Sequence, residues 1–217
     1  SAVIRSPDNK SEILRFTQLR LMQENREIKR LLSAISLNTD QAAYKELFVR
    51  LHGRLKQFAY SILKSNEEAE ELVSDVFIRI WEKREQLPDI ESPLLYFYTT
   101  VKNLALNRLS KQKRQASASA EDWLVQLNSI YFDPEQLMVT EEMMRKIRQA
   151  INDLPPRCRI IFKLIKEDGL KYKETAELLQ LSVKTVEAQM AIALRRLGKC
   201  MHMEIKELSQ SNANLKK

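Results

Sequence analysis

The stretch KYKETAELLQLSVKTVEAQMAIALRRL, Lys171 to Leu197, decides the fold. Its apolar residues recur three and four apart on both sides of a short break at Gln180-Leu181, the pattern of two amphipathic helices joined tightly. Ser182 has the side-chain oxygen that accepts from the unpaired N–H groups opening a helix. The helix it opens turns Val186, Met190, Ala193 and Leu197 inward, and Lys184, Thr185, Ala188, Ala191 and Arg195 outward.

Working back from there, Pro155-Pro156 opens RCRIIFKLIKED, a helix that Gly169 ends. Before it, Asp133-Pro134 pairs a capping carboxylate with a proline at the first helical position, and Val139, Met143, Ile147, Ala150, Ile151 and Leu154 follow as its inner face. Residues 111–120, KQKRQASASA, are polar, small and without helical period, and mark a joint. EDWLVQLNSIYF, residues 121–132, is too apolar for a free linker and is expected to dock on a partner.

The first half carries three further stripes. One runs from Tyr44 through Leu47, Phe48, Leu51, Leu55, Phe58, Ala59, Ile62 and Leu63. A second runs through Ala69, Leu72, Val73, Val76, Phe77, Ile80 and Trp81, with Pro88 expected to close the helix. Ser92-Pro93 opens the third, through Phe97, Val101, Leu104, Ala105 and on towards Leu109. The amphipathic stretch Ile13 to Leu32 reads either as an extra helix or as a disordered arm.

Only 3 glycines and 6 prolines interrupt 217 residues, and no alternating β-branched run argues for a sheet. The expected class is therefore all-α: two small helical domains joined by a flexible linker. The first has three to four helices, the second four helices with the helix-turn-helix. The divisions are an N-terminal extension 1–37, a domain 38–114, a linker 115–133, a domain 134–205 and a tail 206–217. Cys158 and Cys200 lie far apart without metal-ligand spacing, which favours reduced thiols in the cytosol over a disulfide. His52 and His202 are isolated. No membrane-length apolar run and no signal-peptide pattern is present, so a cytoplasmic protein is expected. With no phosphate loop, metal spacing or triad, neither an enzyme nor a cofactor is expected.

The net charge of +7 allows either simple solubility or a polyanionic partner. Its distribution is more telling. In Asn66 to Glu91 nine acids against three bases leave −6, whereas Leu94 to Ala116 has five bases, no acid and a charge of +5. Neighbouring helices of opposite sign suggest two different partners, the alternative being two solvated faces. The basic helix also carries Tyr96, Phe97, Tyr98, Asn103 and Asn107. Rings stack on unpaired bases, amides meet base edges, and cations such as Lys102, Arg108, Lys111, Lys113 and Arg114 meet phosphates. Three consecutive aromatics cannot share one face, and Phe97 is expected to be core.

Three segments in series resemble the extracytoplasmic-function (ECF) sigma factors, initiation subunits of bacterial RNA polymerase in the sigma-70 family. EEAEELVSDVFIRIWEKREQL, Glu67 to Leu87, resembles their polymerase-binding helix. SPLLYFYTTVKNLALNRLSKQKR, Ser92 to Arg114, resembles their minus-ten recognition helix. Leu154 to Leu197 resembles their minus-thirty-five-binding domain. The resemblance implies that Asp75, Arg79, Glu82 and Lys83 face the clamp of core polymerase. It implies a base-capture pocket between Leu87–Ser92 and the helix bearing Asn103, for the non-template single strand. It places Ser182, Lys184, Thr185, Glu187, Ala188, Gln189, Ala191 and Arg195 at the major groove of duplex promoter DNA. It also implies flap contact, an anti-sigma partner and no membrane insertion. Lys171 stands where the family often has a capping hydroxyl, so this helix start is expected to be weakly held. Gln180 stands where glycine often turns the chain, so a left-handed turn here is costly.

The opening stretch is poor in cations at its centre, which suits a subunit whose polymerase supplies phosphate contacts. Glu187 can accept from a cytosine amino group, Gln189 can pair with adenine, and Ala188 or Ala191 can meet a thymine methyl. The competing reading, an independent helix-turn-helix repressor, explains Tyr172 to Leu197 equally well but not the charged helices of the first half.

Overall fold

The computed structural model describes residues 9–113, 145 and 149–214, with side chains described for 24–87, 90–111, 145 and 149–198. The described residues form helices and no strand. In chain order these are α1 (Asn9–Asn38), α2 (Gln41–Leu63), α3 (Asn66–Glu82), α4 (Pro93–Lys113), α5 (Pro156–Lys166), α6 (Tyr172–Leu179) and α7 (Val183–Asn214), with a 3-10 turn at Arg84–Asp89. None is long and apolar enough to cross a membrane.

Local chemistry sets the helix starts. The Asp40 carboxylate accepts from the N–H groups of Ala42 and Ala43 at 2.9 and 3.0 Å, and the Ser65 hydroxyl accepts from Glu68 N at 3.2 Å. Glu67 and Glu68 complement the positive end of α3. Lys64 closes α2 in the left-handed conformation, φ 62°.

The apolar stripes of α2, α3 and α4 meet as expected: Leu47, Leu51, Leu55, Phe58, Leu72, Val76, Phe77, Phe97 and Val101 are all buried. Each such side chain contributes about 1.5–3 kcal/mol of burial. Tyr44 packs edge-on against Trp81 with centroids 5.0 Å apart, and Phe48 meets Phe77 at 4.8 Å. Of the two readings of the N-terminal stretch, the helix holds. Its anchors Ile28, Leu31, Leu32 and Ile35 are fully buried against α2, α4 and the 3-10 turn. α3 ends at Glu82, before Pro88, because the 3-10 turn intervenes and carries Leu87 into the core.

In the second half, residues 149–152 are helical and send in Ile151, with Leu154 following. Ile161, Leu164, Leu179, Val186, Met190 and Ala193 complete this core. Gly169, at φ 84°, makes the turn that lets Leu170 N donate to Leu164 O at 2.9 Å. Gln180 adopts the left-handed turn, φ 55° and ψ 43°. The weak start expected at Lys171 is partly offset, because Glu174 reaches back and its Oε2 accepts from Lys171 N at 2.8 Å. α7 continues to Asn214, past residue 205. The helix opened at Asp133-Pro134 up to residue 144, and EDWLVQLNSIYF, lie outside the described residues. The halves touch where α4 packs on α6.

Candidate nucleic-acid interfaces

At the start of α7 the Ser182 hydroxyl accepts from Thr185 N at 3.0 Å and pairs with Thr185 Oγ1 at 2.8 Å. Val186, Met190 and Ala193 are buried beneath, which fixes the helix rotation. Lys184, Glu187, Ala188, Ala191 and Arg195 are therefore exposed together. Gln189 differs from them. It is half-buried, and its Oε1 accepts from the Cys158 thiol of α5 at 2.8 Å. Burial pushes the Cys158 pKa up, which keeps the thiol in its donor form. In this arrangement the Gln189 carbonyl is held by α5, whereas bidentate adenine pairing needs both the carbonyl and the NH2 group turned to the base.

α4 divides its polar groups between two faces. Tyr96, Asn103, Asn107 and Lys111 are exposed, and at 100° per residue they form one strip. Phe97 is core, as expected from the aromatic triplet. Tyr98 and Lys102 lie on the other side, 1% and 6% exposed, so in this arrangement neither can touch a strand. Lys102 Nζ donates to Leu178 O of α6 at 2.9 Å, and burial lowers its pKa. Arg108 is bound to Glu71 at 3.2 Å and to Asp75 at 2.8 Å. The side chains of Lys113 and Arg114 lie outside the described residues.

On α3 Arg79 and Glu82 are exposed, as are Lys83 at its C-terminal cap and the apolar Ile78. Asp75 is half-buried in its bridge to Arg108. A cleft of about 520 Å³ lies between α3 and α4, lined by Asp75, Arg79, Leu104, Asn107, Arg108, Ser110 and Lys111. Thus the acidic and basic helices are joined by ion pairs as well as by their core. No group of His, Cys, Asp and Glu suited to a metal is found among the described residues.

Two helical units, the second ending in a helix-turn-helix with an exposed outer face, give the architecture of a DNA-binding protein. Residues 47–115 match the Sigma-70 region 2 family and residues 144–197 match Sigma-70, region 4. Among curated relatives, the ECF RNA polymerase sigma factor SigW of Bacillus subtilis is 27% identical over 157 residues, 69% of this chain and 84% of the relative. The ECF RNA polymerase sigma-E factor of Escherichia coli is 26% identical over 157 residues, 69% and 82% of the two chains. The sigma factor RpoE from Bartonella quintana, solved with the anti-sigma factor NepR, aligns with a TM-score of 0.46 at 19% identity, covering 73% of this chain and 96% of that one. The chain belongs to the ECF sigma factors of the sigma-70 family, which direct RNA polymerase to promoters.

Proposed function

We propose the following division of labour within this initiation factor. The domain 38–114 holds core polymerase through the exposed face of α3, using Arg79, Glu82 and Lys83 around Ile78. The same domain takes the non-template minus-ten strand on α4. The domain 134–205 reads duplex DNA at minus thirty-five through the outward residues of α7, and residues 115–133 link the two. An anti-sigma protein as regulator rests on family membership alone, and a cytoplasmic location follows from the polymerase partner.

One observation carries this reading: α4 sets an aromatic ring, two amides and a cation, Tyr96, Asn103, Asn107 and Lys111, along one exposed strip. Those are the groups that stack on, pair with and neutralise a single strand. The repressor alternative leaves this strip and the match over residues 47–115 without a purpose.

The test is Asn103→Ala. Asn103 is exposed and supports no core contact, so polymerase association and thermal stability should be unchanged. Open-complex formation on duplex promoter and binding to single-stranded minus-ten DNA should fall. Equal run-off transcription by variant and wild type would remove Asn103 from the capture site.

A further inference from the structure

The contact between α4 and α6 has an unusual one-sidedness. Two hydrogen bonds cross it with the donor on the first unit and the acceptor on the second. The Ser92 hydroxyl donates to Glu174 Oε1 at 2.5 Å, and Lys102 Nζ donates to Leu178 O at 2.9 Å. Behind them the Asp168 carboxylate, 1% exposed, acts on both Arg54 and the Tyr98 hydroxyl. Burial opposes the charge of Arg54, but Tyr98, Glu24 and Asp168 outweigh it and raise its pKa. The second unit thus presents two carboxylates and a carbonyl to a guanidinium, an ammonium and two hydroxyls. A phosphodiester chain would offer that face the same acceptors.

The Tyr98 hydroxyl and the Asp168 carboxylate are buried together beneath this contact, and Asp168 Oδ1 also lies 3.8 Å from Lys163 Nζ of its own unit.

The geometry points to a self-closed form in which Glu174, Asp168 and the Leu178 carbonyl occupy, as phosphate mimics, a strand-binding face of the first unit made by Arg54, Ser92, Tyr98 and Lys102. This deepens the proposed function and rests on it: the face extends the minus-ten site beyond the open strip of Tyr96, Asn103 and Asn107, and becomes available only when the second unit moves away. Promoter engagement and self-closure are then mutually exclusive.

The experiment has two arms, both on the full chain. In the first, amine acylation is followed by mass spectrometry. In the wild type Lys102 should react about tenfold more slowly than exposed Lys111. Ser92→Asp retains a good helix-capping residue but sets a carboxylate against Glu174, and should bring Lys102 close to the Lys111 rate. Equal rates in the wild type, or a Lys102 still protected in Ser92→Asp, would overturn the self-closed form. In the second arm, Ser92→Cys with Glu174→Cys is joined by a short bis-maleimide, with each single variant treated identically as control. The joined protein should lose about tenfold in affinity for a mixed-sequence single-stranded oligonucleotide relative to the unjoined one. Undiminished binding by the joined protein would show that the face takes no strand. Transcription with core polymerase by the unjoined protein tests the initiation-factor assignment separately, since the acylation pattern does not depend on it.

Discussion

Gln180 shows at single-residue scale how a turn can be forced on a side chain that resists it. The left-handed region places a Cβ close to the carbonyl and costs about 1–2 kcal/mol for a residue other than glycine. Yet the turn is held by Gln180 N donating to Glu177 O at 3.2 Å and by Leu181 N donating to Ala176 O at 2.9 Å. Gln180→Gly should therefore stabilise the second unit by ~0.5–1 kcal/mol, the relief of strain less the extra unfolded-state entropy of glycine. Thermal unfolding checks this, and a lower melting temperature would mean that the Gln180 side chain itself contributes. Glu187 poses a different question at the same scale. It is exposed beside Lys184 and Ala188, and a carboxylate there repels phosphate unless a base amino group meets it. Glu187→Ala should flatten preference at one base pair of the minus-thirty-five element, costing ~1–3 kcal/mol on the best site. Transcription from a library randomised at minus thirty-five measures it; uniformly higher activity with unchanged preference would assign promoter choice to the neighbouring residues.

At the scale of elements, α3 and α4 oppose one another in charge and are bridged by it. Arg108 grips Glu71 and Asp75 across the helix pair at 3.2 and 2.8 Å. Both carboxylates remain substantially in water, so the pair contributes no more than about 1 kcal/mol to stability. Reversing Asp75 alone thus disturbs the helix pair as well as any polymerase contact. The exchange Asp75→Arg with Arg108→Asp separates the two effects, because it restores an ion pair while inverting the charge on α3. It should melt within a few degrees of wild type and bind core polymerase more weakly. Wild-type affinity would confine Asp75 to bracing α4.

For the whole molecule, +7 is a modest charge, and part of it is used internally, at Arg54, Lys102, Arg108 and Lys163. Among the described side chains of α7 the exposed cations Lys184, Arg195 and Arg196 flank a centre of Glu187, Ala188 and Ala191. The centre of this helix thus offers no cation to a phosphate, and affinity for duplex depends on the number of phosphates neutralised. The isolated protein should bind promoter duplex weakly at physiological salt, with a shallow salt dependence, and adding core polymerase should give specific binding. Tight duplex binding by the free chain would count against this division of affinity.

The helical stripes, the Ser182 start, the inward set Val186, Met190 and Ala193, and the core position of Phe97 were legible in the sequence, because a helix's rotation follows from the spacing of its own apolar residues. The outward set Lys184, Ala188, Ala191 and Arg195 of α7 was legible for the same reason, although Thr185, expected with them, is half-buried. What lay beyond that spacing were the partners of polar side chains. Nothing local to Gln189 announces Cys158 from α5, nothing local to Asp75 announces Arg108, and nothing local to Tyr98 and Lys102 announces their burial beneath α6. Those contacts join residues 31 to 76 positions apart and depend on how helices are stacked. Apolar burial is non-directional and shows itself as a period along one chain segment; a hydrogen bond or ion pair needs one particular atom opposite another, and only the tertiary structure decides which.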